Sequence, residues 1–396
     1  MRNCLLIVFT LAFTESFASE SAFNTFCSES LIGVPCSEIP KGVPCSEIIL
    51  KSSVSETDVS IGSGEGGEVE NYVRFAPYAV IASMKLAGIE SRSSNYEFLA
   101  SFALSNIFMA GTVEALKKSI KESRPDKSSN NAFPSGHTAI AFTAASILHK
   151  EFGETTSPWI SFGAYGIATA TGVLRATHSR HWAGDILAGA GIGVLSTELG
   201  YYLSDLFFHK KKSLRKDFIP KTEEEKPSFV EVQMGGGLHS SQLTLSNSQG
   251  EKSVELCTST VGGVEGALFL NRYIGIGGMC RFSVTPVKDL LEGIVFNQQN
   301  TSLDAGIYSS LPISANWSIG GKALIGTWLN GKSSLDIVFG VNIGWRYSRR
   351  YMLKVFTDFD TSKREYSYWE KQSQKSFSTV KRMNTITVGS SFAIMF

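Results

Sequence analysis

Leu335-Asp336-Ile337-Val338-Phe339-Gly340-Val341-Asn342-Ile343-Gly344-Trp345 alternates strictly. Leu335, Ile337, Phe339, Val341, Ile343 and Trp345 share one face of an extended chain, because successive side chains of a strand point to opposite sides. The other face carries Asp336, Val338, Gly340, Asn342 and Gly344, and apart from Val338 these are small or polar. A strand with one continuous apolar face and one polar face suits a wall between an apolar medium and a polar interior. That is the pattern of a transmembrane β-barrel, whose strands run to about 9–11 residues.

The pattern extends in both directions. From Ser228 onward, alternation predicts eight strands, near 228–238, 260–270, 273–286, 302–313, 317–329, 335–348, 351–367 and 384–396. Turn signals at Asn271-Arg272, Ala315-Asn316 and Asn330-Gly331 separate them. Trp317, Trp328, Trp345, Tyr347 and Tyr351 fall near strand ends, where an interfacial aromatic girdle would sit. The chain closes on Ser391-Phe392-Ala393-Ile394-Met395-Phe396, which resembles the closing strand of bacterial outer-membrane barrels. An eight-stranded antiparallel β-barrel is expected over 228–396. Its interior would be filled by side chains rather than open as a pore.

Upstream, the period changes. Apolar stretches at Phe75–Ala87, Phe98–Leu116, Thr138–Leu148, Trp159–Leu174 and Trp182–Phe208 are each long enough for a helix, and Gly, Pro or charged clusters separate them. The expected architecture is thus two-domain, an all-α helical bundle over 72–208 followed by the barrel. Ser, Thr and Gly dilute the helices, which leaves open whether they span a membrane or rest on it. Residues 209–227, with Lys210-Lys211-Lys212 and Glu223-Glu224-Glu225, read as a charged linker.

The N-terminus reads as a secretory signal over 1–18, with Arg2, a short apolar run from Cys4 to Phe13, and small residues at Ser16-Phe17-Ala18. Residues 19–71 are irregular and end in a Ser-, Gly- and acid-rich linker from Ser52. Gly33-Val34-Pro35-Cys36-Ser37-Glu38-Ile39 recurs identically at Gly42–Ile48. With Cys27, Cys36, Cys45, Cys257 and Cys280 left after cleavage, an odd thiol remains in an oxidising compartment. Net charge is +1, so there is no whole-molecule field for nucleic acid. Any basic chemistry must be local.

Three clusters in the helical half supply it. Lys117 and Arg124-Pro125 come first, seven positions apart, so a continuing helix would aim both cations from one face toward a common anion. Pro134-Ser135-Gly136-His137 comes second, with Ser135 placed as an N-cap and His137 in the first turn of a helix whose free N–H groups suit phosphate. Arg175, His181 and Asp185 come third. His181 and Asp185, four apart on one helical face, allow the carboxylate to take the Nδ1 proton and leave Nε2 free to attack.

Together, Lys-x6-Arg-Pro, Pro-Ser-Gly-His and Arg-x5-His-x3-Asp resemble the type 2 phosphatidic acid phosphatase family, which shares its site with vanadium haloperoxidases. The resemblance covers about Tyr72–Phe208. It implies His181 as a nucleophile forming a phosphohistidine, Asp185 as its orienter, and His137 as the general acid for the leaving oxygen. It also implies that Lys117, Arg124 and Arg175 neutralise the phosphoryl oxygens, with Ser135 and the Gly136 amide adding hydrogen bonds. Leu174 stands where the family has Ser, which removes one supporting hydrogen bond. His178, Arg180 and Trp182 crowd the site without an assigned role.

The expected activity is a phosphatase needing no metal or other cofactor. Its substrate would be a phosphorylated lipid: lipid A, phosphatidylglycerophosphate or phosphatidic acid, or polyprenyl pyrophosphate. The alternatives are a vanadate-dependent haloperoxidase, and a membrane anchor or adhesion protein with an inactive enzyme domain. The expected partners are this lipid and the membrane, not nucleic acid. The barrel implies the outer membrane, with the helical domain facing the periplasm.

Overall fold

The computed structural model describes residues 71–208, 226–239, 242–247, 250–289, 293–329, 334–370 and 375–396. The signal segment, the cysteine-bearing repeat and most of the charged linker lie outside these residues. Five α-helices form the first part: α1 (Ala76–Leu86), α2 (Asn95–Ser119), α3 (Gly136–Leu148), α4 (Pro158–Thr177) and α5 (Ala183–Phe207). Each coincides with an expected apolar stretch. Their starts follow local chemistry: the Ser94 amide donates to Glu97 Oε2 at 2.9 Å, and the Trp182 amide to Asp185 Oδ2 at 2.9 Å. Pro158 opens α4 at a position where its missing N–H costs nothing.

Helix α3 is the core of the bundle, and its Thr138–Leu148 stretch is buried but for Ile140. It ends in a π-helical turn, His149–Gly153. Helix α5 packs against it at backbone distance. A Cβ on Gly189 would lie 2.5 Å from Ser135 O, and one on Gly193 would lie 2.6 Å from Ala139 O. Only glycine permits this approach.

The second part has ten strands: β1 (Phe229–His239), β2 (Gln242–Asn247), β3 (Gly250–Leu256), β4 (Ser259–Phe269), β5 (Ile274–Asp289), β6 (Gly293–Pro312), β7 (Trp317–Trp328), β8 (Leu335–Arg346), β9 (Tyr351–Glu370) and β10 (Lys375–Met395). All pairings are antiparallel. The order β1-β4-β5-β6-β7-β8-β9-β10 returns to β1 through Phe229↔Met395 to His239↔Thr385, so the hydrogen bonding closes into a ring of eight strands. These are the eight expected strands. The expected count is corrected by the hairpin β2–β3, which joins β5 through Val254–Leu256 and β10 through Ser246. Its polar Gln242, Thr244, Ser246 and Ser253 hide a short alternation whose Leu243, Leu245, Val254 and Leu256 bury against Val287, Tyr366 and Met383.

Inside the ring the side chains are charged and paired. Lys322 Nζ lies 2.6 Å from Glu265 Oε2 and 3.0 Å from Asp358 Oδ2, while Arg281 also pairs with Asp358, and Arg364 with Asp360. All are buried. Outside, Ile307, Ile325, Phe339, Val341, Ile343 and Val355 are each more than half exposed. The apolar face of Leu335–Trp345 therefore points outward, the inverse of a water-soluble sheet. Trp317 and Trp345 stack 6.3 Å apart, with Tyr347 beside Trp345, at one rim.

The helices and the strands belong to one compact unit. Helix α4 lies along the outer face of the ring, because Met234 on β1 points away from the inward Gln233 and its methyl group meets Gly172. Val173 and Thr169 sit over Gly262 of β4. Phe392, Ile394, Val284 and Tyr351 join the buried core of the helices. At one end of α4, Tyr351 donates to Gly153 O at 2.5 Å and Tyr347 Oη lies 2.9 Å from His149 Nε2. At the other, Asn297 of β6 donates to Thr177 O at 2.8 Å. The two parts are packed side by side, a closer union than a linker alone requires.

Candidate active site

The three sequence clusters meet at one end of the bundle, where α2 and α4 end and α3 and α5 begin. Lys117 stands in the last turn of α2, and its Nζ donates to Asn131 O at 2.8 Å. Arg124 corrects the helical reading. Helix α2 stops at Ser119, and Ile120 is extended. Pro125 also disfavours helical geometry at Arg124. Arg124 sits instead in the α2–α3 loop, its amide donating to Ser129 O at 3.0 Å and its carbonyl accepting from Lys127 N at 2.9 Å. It still reaches the same place, since its charge acts on both Lys117 and Arg175. Its Nε is buried with no hydrogen-bond partner among the described residues. A buried guanidinium N–H of this kind is stabilised by an anion.

Ser135 occupies the N-cap of α3, but its hydroxyl lies 2.9 Å from Thr138 Oγ1 rather than capping an amide. Its own amide donates to Asp185 O at 3.0 Å, which ties the start of α3 to the start of α5. Gly136 is the first helical residue and His137 the second. His137 Nε2 is 2.9 Å from Asn71 Oδ1. Burial, then the charges of Arg175, Arg74, His181 and Arg124, push the His137 imidazole down to about 3. Arg175 is buried in the last turn of α4.

His181 is 2% exposed and Asp185 1%. The expected Nδ1 contact is redistributed, with His181 Nδ1 2.8 Å from Ala132 O and 3.5 Å from Asp185 Oδ2. A carbonyl only accepts, so Nδ1 carries the hydrogen and Nε2 keeps its lone pair. Asp185 contributes its field from slightly farther away, while its Oδ2 takes the Trp182 amide. Burial outweighs that carboxylate and holds His181 below the usual imidazole range. Burial, and then the neighbouring Asp185 carboxylate, raise the Glu122 carboxyl.

Several supporting residues escaped the sequence reading. Arg180 pairs with Asp126 at 3.0 Å, and Trp182 Nε1 donates to Ser123 O at 2.9 Å, so both neighbours of His181 staple its loop to the α2–α3 loop. Ser179 holds a left-handed φ of 54° and accepts from Asn297 Nδ2 at 2.7 Å. The crowding of Arg180 and Trp182 around His181 was the signal available for two of these contacts. Asn297, more than a hundred residues away in sequence, had none. Among the described residues, no group of three or more His, Cys, Asp or Glu is placed to hold a metal ion. Cys257 and Cys280 carry free thiols.

An imidazole whose Nε2 keeps its lone pair lies buried beside three cations and a helix N-terminus, an arrangement whose chemistry suits an anion. Residues 97–208 match the family model of the PAP2 superfamily. A lipid A 1-phosphatase of Porphyromonas gingivalis is 39% identical over 164 residues, which cover 41% of this chain. The match spans 37% of that relative's length. Among solved structures, LpxE of Aquifex aeolicus aligns at 18% identity with a TM-score of 0.28, over 41% of this chain and 96% of that one. The outer membrane protein OprG of Pseudomonas aeruginosa aligns at 8% identity with a TM-score of 0.33, over 43% of this chain and 98% of that one.

Proposed function

We propose that this chain is a lipid phosphatase in which His181 Nε2 attacks phosphorus. The observation that carries the reading is the 2.8 Å contact of His181 Nδ1 with Ala132 O, which leaves Nε2 unprotonated beside Lys117, Arg124 and Arg175. In the first step the Nε2–P bond forms and the P–O bond to the lipid breaks. The leaving oxygen takes a proton from His137. In the second, water attacks the phosphohistidine, His137 takes its proton, and phosphate departs with Nε2 restored. The three cations, Ser135 and the Gly136 amide spread the charge of the equatorial oxygens, where phosphoryl transfer gains most of its rate.

Burial first, and then the surrounding cations, hold His137 well below neutrality in this arrangement. A phosphate seated by Arg124 and Arg175 offsets the cationic part of that shift and raises His137 toward the protonated form that a general acid needs.

The phosphate of lipid A is the first substrate to test, given the relative named above, ahead of phosphatidylglycerophosphate, phosphatidic acid and polyprenyl pyrophosphate. The closed ring, charged within and aliphatic without, supports reading the strands as a transmembrane barrel in the outer membrane. Periplasmic placement of the helices was expected from an attachment at the barrel's end; with α4 along the wall, placement depends on which end of the wall carries the site. The test of function is phosphate release from each lipid by the full chain in excess chelator, beside His181→Ala. Release by the wild type alone supports the proposal, and no release from any of them refutes it.

A further inference from the structure

Helix α4 connects the two ends of the wall. Its 20 residues rise ~30 Å, the thickness of a bilayer's hydrocarbon core. Near its start, Gly153 and His149 meet Tyr351 and Tyr347, which flank the turn between β8 and β9. This is also the end at which the strand domain begins and finishes, with the Phe396 amide donating to Ser228 O at 3.1 Å. The other two connections here are tight turns as well, closed by Leu270 N to Ile274 O at 3.0 Å and Ile313 N to Trp317 O at 2.9 Å.

The finish of α4 lies at the opposite rim. Asn297, which holds Ala176, Thr177 and Ser179, pairs with Pro286, one residue before the stretch where the β2–β3 hairpin joins β5. At this rim β5, β6, β9 and β10 extend past the neighbouring strands. Arg175 lies in the last turn of α4 and His181 just beyond its end, so the anion site sits at the hairpin rim. Close by, Leu187 of α5 stands over Gly236, near the end of β1 that leads into that hairpin.

Outer-membrane barrels keep short turns in the periplasm and send their longer connections outward. In the bundle beside this wall, α2 and α5 are long and apolar enough to cross a membrane and expose Leu99, Ile107, Leu195, Leu199 and Leu206. Lys118, Lys121 and Lys127 are exposed at the site end, where their charges suit anionic headgroups.

Resting on the phosphatase and outer-membrane readings, we infer that the site opens on the outer side of the membrane and takes its phosphate from lipids of the outer leaflet. This reverses the periplasm-facing placement expected from the sequence. The same lipid phosphate on the periplasmic leaflet lies a bilayer away from His181.

The test is cysteine labelling of the full chain in the outer membrane of intact cells, with its own cysteines replaced. Ser128→Cys reports the exposed α2–α3 loop at the site, and Ala315→Cys reports the β6–β7 turn at the opposite rim. A bulky, membrane-impermeant maleimide should label Ser128→Cys in intact cells as fully as after solubilisation. Ala315→Cys should label only after permeabilisation. Labelling of Ala315→Cys alone in intact cells overturns the inference, and so does protection of both until permeabilisation. Both positions must label after solubilisation, which controls for folding and access. Membrane fractionation and the chelator assay on the same cells report location and phosphatase activity separately, so failure of the orientation is distinguishable from failure of either reading.

Discussion

The side-chain amide of Asn297, on strand β6, donates at 2.8 Å to the carbonyl oxygen of Thr177, two residues past Arg175 at the end of α4. The same amide reaches Ala176 O and Ser179 Oγ, so a residue of the strand ring holds the loop that leads to His181. Asn297→Ala should lower kcat by about 10- to 100-fold with a smaller change in KM, since small displacements of a positioned nucleophile cost that much. Asn297→Asp, which cannot donate, should behave alike. Kinetics on folded, detergent-solubilised variants check this, and unchanged kcat in both would make the strand ring a passive support.

The cations are separable by charge geometry. Arg124→Lys keeps the charge but loses the planar fork, and should cost about 10- to 100-fold in kcat/KM, the ~1.5–3 kcal/mol of charged hydrogen bonds. Steady-state kinetics on the lipid substrate read the loss. A loss under twofold would place Arg124 outside the phosphate contacts.

The pH profile follows from His181. Its pKa is lowered by burial, so the imidazole stays neutral and nucleophilic at pH values where an ordinary histidine, near 6.5, is already half protonated. The acidic limb of kcat/KM should therefore have its midpoint below ~6.5. A midpoint at or above that value would mean that the ionisation controlling attack is not that of a buried His181.

Helix contact near the site gives a stability prediction. Gly189→Ala would force a methyl group to 2.5 Å from Ser135 O, whereas Gly191 has nothing within 4 Å of its Cβ position. Gly189→Ala should destabilise by ~1–3 kcal/mol, while Gly191→Ala should be neutral or slightly stabilising through helix propensity. Thermal unfolding of the two variants compares them directly, and equal stability would refute the close α3–α5 contact.

What the sequence made legible was local. Helices and ring strands follow from periods of hydrophobicity, and the catalytic clusters from residues within a few positions of each other. The misreadings have physical causes. Lys117 and Arg124 looked like one helical face because spacing ignores Pro125, which shapes the loop that carries Arg124. The expected approach of His181 Nδ1 to Asp185 is present at 3.5 Å, but the nearer Ala132 carbonyl is backbone and has no sequence signature. The β2–β3 hairpin hid in polar residues. Docking of α4 on the wall did leave a trace, in Gly235-Gly236-Gly237 and Gly262-Gly263, where the absent side chain at Gly262 makes room for Val173. Glycine-rich strands alone do not name the helix that fills them.

His181 as the covalent nucleophile is tested most directly by trapping the intermediate. The full chain is mixed with lipid substrate labelled in its phosphoryl group, quenched in alkali, which preserves phosphohistidine, and digested. Label is expected on the peptide containing His181 and absent from His181→Ala. Wild-type phosphate release by His181→Ala, or label on another residue, would contradict it.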